Sequence, residues 1–146
     1  VHQVQKTDPT GAHCHQSEDC CESMCEANRL CYRAQSHATA RRLATRLGLS
    51  SDQWTIAFQS RLTKVPWIQP YTDEALINLA EAGVKHLAVM CPSFVADCLE
   101  TLEEIDMRGR EDFLAAGGEK FTFVPCLNDR PEWVDGLCDL VRSECV

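Results

Sequence analysis

The feature that most limits what this chain can fold into is a regular alternation of helix-like and strand-like stretches, each closed by glycine or proline. Residues 36–47 carry a helical stripe of Ala38, Ala40, Leu43, Ala44 and Leu47, with Ser36 placed to cap its start and Gly48 its end. Residues 53–59 (QWTIAFQ) are rich in β-branched and aromatic side chains and read as a strand. A loop with Pro66 and Pro70 follows, and Thr72 caps a helix over 72–81 that Gly83 closes. A second strand covers 84–91 and is cut by Pro92. A long helix runs from Asp97 to about Ala116 and ends at Gly117-Gly118, and a third strand covers 121–126. Pro131, a favoured first-turn residue, opens a last helix through about Arg142. Alternation of this kind builds a parallel sheet flanked by helices. The near-continuously apolar strands predict cover on both sheet faces. The expectation is therefore an α/β fold: a three-stranded parallel sheet with helices on both faces, of the Rossmann type.

Residues 1–35 stand apart from this pattern and are expected to form a Cys-rich metal-binding segment, leaving 36–146 as the α/β domain. The opening is polar, holds His2, His13 and His15, and shows no steady period, so it needs something to order it. Of the ten cysteines in 146 residues, five crowd into this opening: Cys14, Cys20, Cys21, Cys25 and Cys31. Thiolates this close, in a segment without a core of its own, suggest a metal clip, and zinc is one group the spacing admits. The neighbours Cys20 and Cys21 would point opposite ways in an extended segment, leaving one spare. Cys91, Cys98, Cys126, Cys138 and Cys145 lie in apolar surroundings, where cysteine is usually a small buried hydrophobe. A secreted disulfide framework is the rival reading. An α/β domain in which 45% of residues are hydrophobic has little need of such staples, which favours a reduced, cytoplasmic setting.

A formal charge of −8 argues against a nucleic-acid partner, because phosphate binding needs a basic face. No apolar run approaches the roughly 20 residues that cross a bilayer. The chain begins with Val rather than Met, and we expect it to be a piece of a longer protein.

Ligands of parallel α/β sheets bind beyond the carboxyl ends of the strands. Two loops there are unusual. After the first strand, Trp67 lies between Pro66 and Pro70, where it either folds back on the core or walls an apolar pocket. After the second, Asp97, Glu100 and Glu104 recur at i, i+3 and i+7, so an α-helix would place them on one face. That row is either a solvated acidic surface or a line of oxygen ligands and proton acceptors.

Five segments in this order then resemble the carboxy-terminal half of ferrochelatases: QSR (59–61), PWIQPYTDE (66–74), FVADCLETLEEI (94–105), AGGEKF (116–121) and PCLNDRPEW (125–133). Lys6-Thr7-Asp8-Pro9 resembles that family's Lys-Gly-Asp-Pro. The resemblance implies insertion of ferrous iron, the metal substrate, into protoporphyrin or coproporphyrin in haem biosynthesis. Glu100 would face the porphyrin centre and take part in proton removal or iron delivery. Glu104 and Asp97 would continue an acidic path along an unwound, π-like helix. Trp67 and Phe94 would wall the macrocycle, and Ser60 would lie near a propionate. The family's active-site His belongs to a Ser-x-His-x-Leu-Pro segment just upstream of the Asp-Pro, and His2, His13 and His15 do not match it. The expectation is that this chain alone is inactive and that its partners are the porphyrin and the amino-terminal domain of the same enzyme. Peripheral membrane association is a further expected contact.

Some bacterial ferrochelatases carry a four-cysteine [2Fe–2S] insert at this position, ahead of a segment like Cys31-Tyr32-Arg33-Ala34-Gln35. The resemblance therefore implies a [2Fe–2S] centre on four of Cys14, Cys20, Cys21, Cys25 and Cys31. Cys14 and Cys31 bracket the insert, zinc is the alternative metal, and His13 or His15 are possible replacements for a thiolate. Rival readings are a non-catalytic iron–sulfur or zinc module and another tetrapyrrole chelatase.

Overall fold

The computed structural model describes residues 8, 10–14, 16–17, 19–59 and 67–145. The chain divides into two compact units, one ending at Tyr71 and the other starting at Thr72.

In the first unit, turns and bends over 10–14, 16–17 and 19–23 lead through a 3₁₀ turn, Glu26–Asn28, into helix α1, Tyr32–Leu47. Helix α1 begins four residues before the expected Ser36. Ser36 is no cap: its hydroxyl donates to the Tyr32 carbonyl at 2.9 Å, inside the helix. The C-terminus is as expected. Gly48 takes the left-handed conformation (φ 70°), and Leu49 N–H reaches back to the Ala44 carbonyl at 3.0 Å. The strand expected over 53–59 is corrected. Its backbone meets a neighbour only as a single parallel bridge, Phe58 to Tyr71, among the described residues. Strand propensity alone makes no strand, because a ladder needs a partner along its length.

The second unit opens with α2, Thr72–Glu81, bounded as the sequence predicts. Strands β1, His86–Met90, and β2, Lys120–Val124, pair in parallel with Leu87 opposite Phe121. The sheet has two strands among the described residues rather than the expected three. The long helix expected from Asp97 is also corrected. Asp97 precedes it, Glu100–Gly109 is a π-helix, and only Arg110–Ala115 (α3) is α-helical. Helix α4, Pro131–Glu144, starts on its proline.

One sheet face carries the core. Leu76, Ala80, Ile105, Phe113 and Phe121 are buried together, with Leu87, Val89 and Phe123 packed against them. The other face, with His86, Ala88 and Met90 on β1 and Lys120, Thr122 and Val124 on β2, is exposed. The expected cover on both faces is thus found on one, and α4 has no buried residue. The alternating exposure along β1 is that of a half-covered sheet.

The buried row of the π-helix is Thr101, Ile105 and Gly109, each four residues on from the last. Such positions drift around an α-helix, whose turn takes 3.6 residues, and the wider π turn holds them nearer one side. Gly109 lets Leu76 pack close: a Cβ there would lie 2.8 Å from Leu76 Cδ1, and the leucine would have to shift. At Gly118 a Cβ would run into the Phe113 ring, which is fully buried.

Two glycine substitutions should therefore act with opposite sign in denaturant titrations. Gly118→Ala should destabilise by about 1–3 kcal/mol through overpacking. Gly136→Ala, in the middle of α4 with open space around it, should stabilise by about 0.5–1 kcal/mol through helix propensity. An unchanged midpoint for Gly118→Ala would contradict the packing described for Phe113.

Candidate functional site

In the second unit, the loop after β1 and the start of the π-helix bring the acidic residues beyond the carboxyl end of the strand. Phe94 is half-buried there, and its N–H donates to the Cys91 carbonyl at 2.9 Å. Glu100 and Glu104 are half-buried and lie one position before Thr101 and Ile105, so they form a row flanking the buried one. Arg108 continues that row but turns to Glu103, with Nη2 2.6 Å from Glu103 Oε2. The Cys98 thiol beside Glu100 holds its carboxyl below the ordinary range, so it is ionised at neutral pH. The resemblance implied a π-like helix, and the structure has one over ten residues, where π turns are usually single bulges at functional sites.

Asp97 stands outside that helix, so a single α-helical face joining it to Glu100 and Glu104 is not what the structure has. Its carboxylate is held from several sides. Asn128 Nδ2 donates to Oδ2 at 2.8 Å, and Cys126 N–H donates to Oδ1 at 3.1 Å. These bonds, Asn128 first, hold the Asp97 carboxyl below the usual range. The sequence quoted Asn128 only as part of a motif. Its signal was an asparagine in a turn three residues before Pro131, a residue type that tolerates the left-handed φ of 51° found here.

The neighbouring thiols are protonated at neutral pH. Burial pushes Cys91 up to about 11, and burial together with the Asp97 hydrogen bond pushes Cys126 up to about 12. Cys126 is the small buried hydrophobe expected, Cys91 and Cys98 are half-buried, and Cys138 and Cys145 are exposed.

Trp67 belongs to the first unit. Its ring is 43% exposed, so it is not folded into a core, and its Nε1–H donates to the Gln59 carbonyl at 2.8 Å. Ser60, His2 and His15 lie outside the described residues.

The Cys-rich segment is ordered by polar side chains rather than by a core. Buried Asp8 accepts hydrogen bonds from the Thr10 hydroxyl at 2.6 Å, Cys14 N–H at 2.9 Å and His13 N–H at 3.0 Å. These bonds, led by Thr10, hold its carboxyl far below the usual range. Asn28 is fully buried. It donates to the Cys20 and Ser23 carbonyls and accepts from Cys25 N–H at 2.8 Å. Arg41 donates to the Cys21 carbonyl at 3.0 Å. Only the residue types, which commonly bond to nearby backbone, hinted at this scaffold.

The sulfurs of Cys20 and Cys21 are 3.8 Å apart. They converge because residues 19–21 form a turn, whereas opposed directions belong to an extended strand. Burial pushes Cys14 up to about 11, and the thiols of Cys31, Cys20 and Cys21 add to the effect. Burial likewise raises Cys21 to about 11, against the pull of the Arg33 guanidinium. Thiols gathered in this way suit a metal cation in donor type. Cys25 is exposed, with its sulfur 3.7 Å from His13 Nε2. Among the described residues, no three Cys, His, Asp or Glu groups converge closely enough to hold a metal ion as they stand.

The chain is similar to known proteins over almost its whole length. A sequence model of the ferrochelatase family matches residues 12–145. The ferrochelatase of Stutzerimonas stutzeri is 55% identical over 138 residues, which cover 94% of this chain and 40% of that protein. That of Azotobacter vinelandii is 54% identical over 141 residues, covering 96% and 42%. That of Opitutus terrae is 50% identical over 143 residues, covering 98% and 41%. The chain thus spans about two-fifths of the length of these curated relatives. With the family match running from the cysteine segment to the end of α4, this chain belongs to the ferrochelatase family.

Proposed function

We propose that this chain supplies the acidic side of a ferrochelatase active site, where ferrous iron enters a porphyrin and two pyrrole protons leave. The observation that carries this reading is the ten-residue π-helix with Glu100 and Glu104 in one half-buried row beyond β1. Both carboxylates are oxygen donors suited to a hard divalent ion in transit. In this reading Glu100 would accept a proton from a pyrrole nitrogen and Glu104 would pass it on to water. Phe94, just upstream, would offer apolar surface to the ring, and the family resemblance implies a wall role for Trp67 and a propionate contact for Ser60. Binding energy from the rest of the macrocycle would hold it distorted, exposing the nitrogen lone pairs to the metal. The amino-terminal part of a full-length enzyme would supply the remaining groups, including the His that this chain's histidines do not match. Protoporphyrin and coproporphyrin both suit this reading, as does peripheral contact with a membrane.

The first unit's thiols support a resident [2Fe–2S] centre, with zinc as the alternative occupant. Cys14, Cys20, Cys21 and Cys31 would hold it, with Cys25 as the spare. A cluster there would tie the segment together and respond to oxidants or iron supply, while iron insertion itself transfers no electron. A reducing cytoplasm suits the ten free thiols.

Two measurements test these readings. In a full-length ferrochelatase carrying this segment, Glu100→Gln should lower kcat by roughly 10²–10⁴-fold, the range of a lost acid–base group, with an unchanged melting temperature. Near-normal turnover would remove Glu100 from the chemistry. Iron, acid-labile sulfide and zinc should be measured on the purified chain and on two variants. Cys25→Ser should keep its metal and Cys14→Ser should lose it; equal retention by both would sink the assignment.

A further inference from the structure

We propose that Asp97 and Asn128 are positioning residues for Glu100: their paired side chains fasten the start of the π-helix to the loop after β2, and Asp97 itself carries neither proton nor metal. The inference rests on the placement of Glu100 in the active site argued above.

The two side chains face each other as two peptide groups do in a ladder. Asp97 N–H donates to Asn128 Oδ1 at 2.9 Å, and Asn128 Nδ2 donates to Asp97 Oδ2 at 2.8 Å. Asn128 N–H donates to the Val95 carbonyl at 2.9 Å, and Asn128 Nδ2 also reaches the Cys126 carbonyl at 3.2 Å. Asp97 Oδ1 takes Cys126 N–H at 3.1 Å and lies 3.3 Å from the Thr101 hydroxyl. That hydroxyl, fully buried, accepts Cys98 N–H at 3.0 Å. So four hydrogen bonds join residues 95–97 to 126–128, and Thr101 extends the set into the first turn of the helix. Glu100 stands between Asp97 and Thr101 in the chain, so both its flanks are held.

Both Asp97 oxygens are engaged by N–H donors, Oδ2 by Asn128 Nδ2 and Oδ1 by Cys126 N–H, and a metal ion would have to displace them. A carboxylate in that state is a fixed acceptor. The left-handed backbone of Asn128 (φ 51°) turns its side chain back toward Asp97, and few other residues adopt that conformation at low cost.

The test is a side-chain swap in a full-length ferrochelatase carrying this segment. Asp97→Asn sets amide against amide, and Asn128→Asp sets carboxylate against carboxylate. Each single variant should lose about tenfold or more in kcat, with KM for porphyrin within about twofold, as expected when a reacting group is misplaced. The double variant restores the donor–acceptor match, at the loss of the Cys126 carbonyl contact, and removes the charge from position 97. Its kcat should return to within about threefold of the parent, the signature of coupled neighbours. A double variant as poor as Asp97→Asn alone would overturn the proposal, because the charge at 97 would then be what matters. Asn128→Gly keeps the left-handed backbone and removes only the amide; it should lose kcat while the melting temperature holds, and parental kcat there would also overturn it. Hydrogen exchange at the Cys126 amide should quicken in both single variants and slow again in the double. This readout does not depend on Glu100, so a failed Glu100→Gln experiment would remain distinguishable from a failed latch.

Discussion

Backbone groups that no regular ladder can satisfy must find partners elsewhere, and that requirement shapes both halves of this molecule. The loops that matter here are tied by short Asp and Asn side chains standing in for peptide groups. In the first unit Asp8 gathers the amides that lead into Cys14, and Asn28 gathers the carbonyls around Cys20 and Ser23. In the second, Asp97 and Asn128 exchange hydrogen bonds as two strands would. Loops built this way are specific in shape without a large apolar core. They can bring sulfurs or carboxylates to a chosen place and leave them accessible.

The π-helix carries a buried packing row and an acidic row on one element. Its buried row, Thr101, Ile105 and Gly109, faces the aromatic core, and Gly109 is small because Leu76 sits where a side chain would go. The row one residue earlier carries Glu100 and Glu104. A wide helix lets a four-residue repeat keep both rows aligned over ten residues. An α-helix of the same sequence would still set Glu100 beside Glu104, but the longer buried row from Thr101 through Ile105 to Gly109 would drift around its surface. The unusual helix thus suits the buried row while keeping the carboxylates together.

Much of the second unit was legible from residue patterns. Helix α2 and both strands fell where glycine, proline and apolar runs placed them, because these breakers act locally. The π-helix was not legible from periodicity, since i, i+3 and i+7 spacing fits an α-helix, and only the family resemblance implied the wider turn. The strand expected over 53–59 failed because propensity says nothing about whether a neighbour is present. The bare sheet face was missed for a related reason: apolar strand residues predict burial but cannot name what buries them. Among site residues, the acidic row and the cysteines were readable by type, while Asn128, Thr101, Asp8 and Asn28 were not. Their importance lies in bonds to residues far along the chain or to backbone, which composition does not encode.

The uncovered sheet face and the apolar side of α4 have a consequence for the behaviour of the chain in solution. Met90, Val124, Leu127, Val134, Leu137, Leu140 and Val141 are all at least 39% exposed. What keeps such surfaces apart is the repulsion of a chain with formal charge −8. That barrier is colloidal, and it weakens as mild acid neutralises carboxylates or as salt shortens the screening length. Dilute, slightly alkaline buffers of low ionic strength are therefore where this polypeptide stays dispersed. Acidification toward the sequence pI of about 5.0 removes that repulsion.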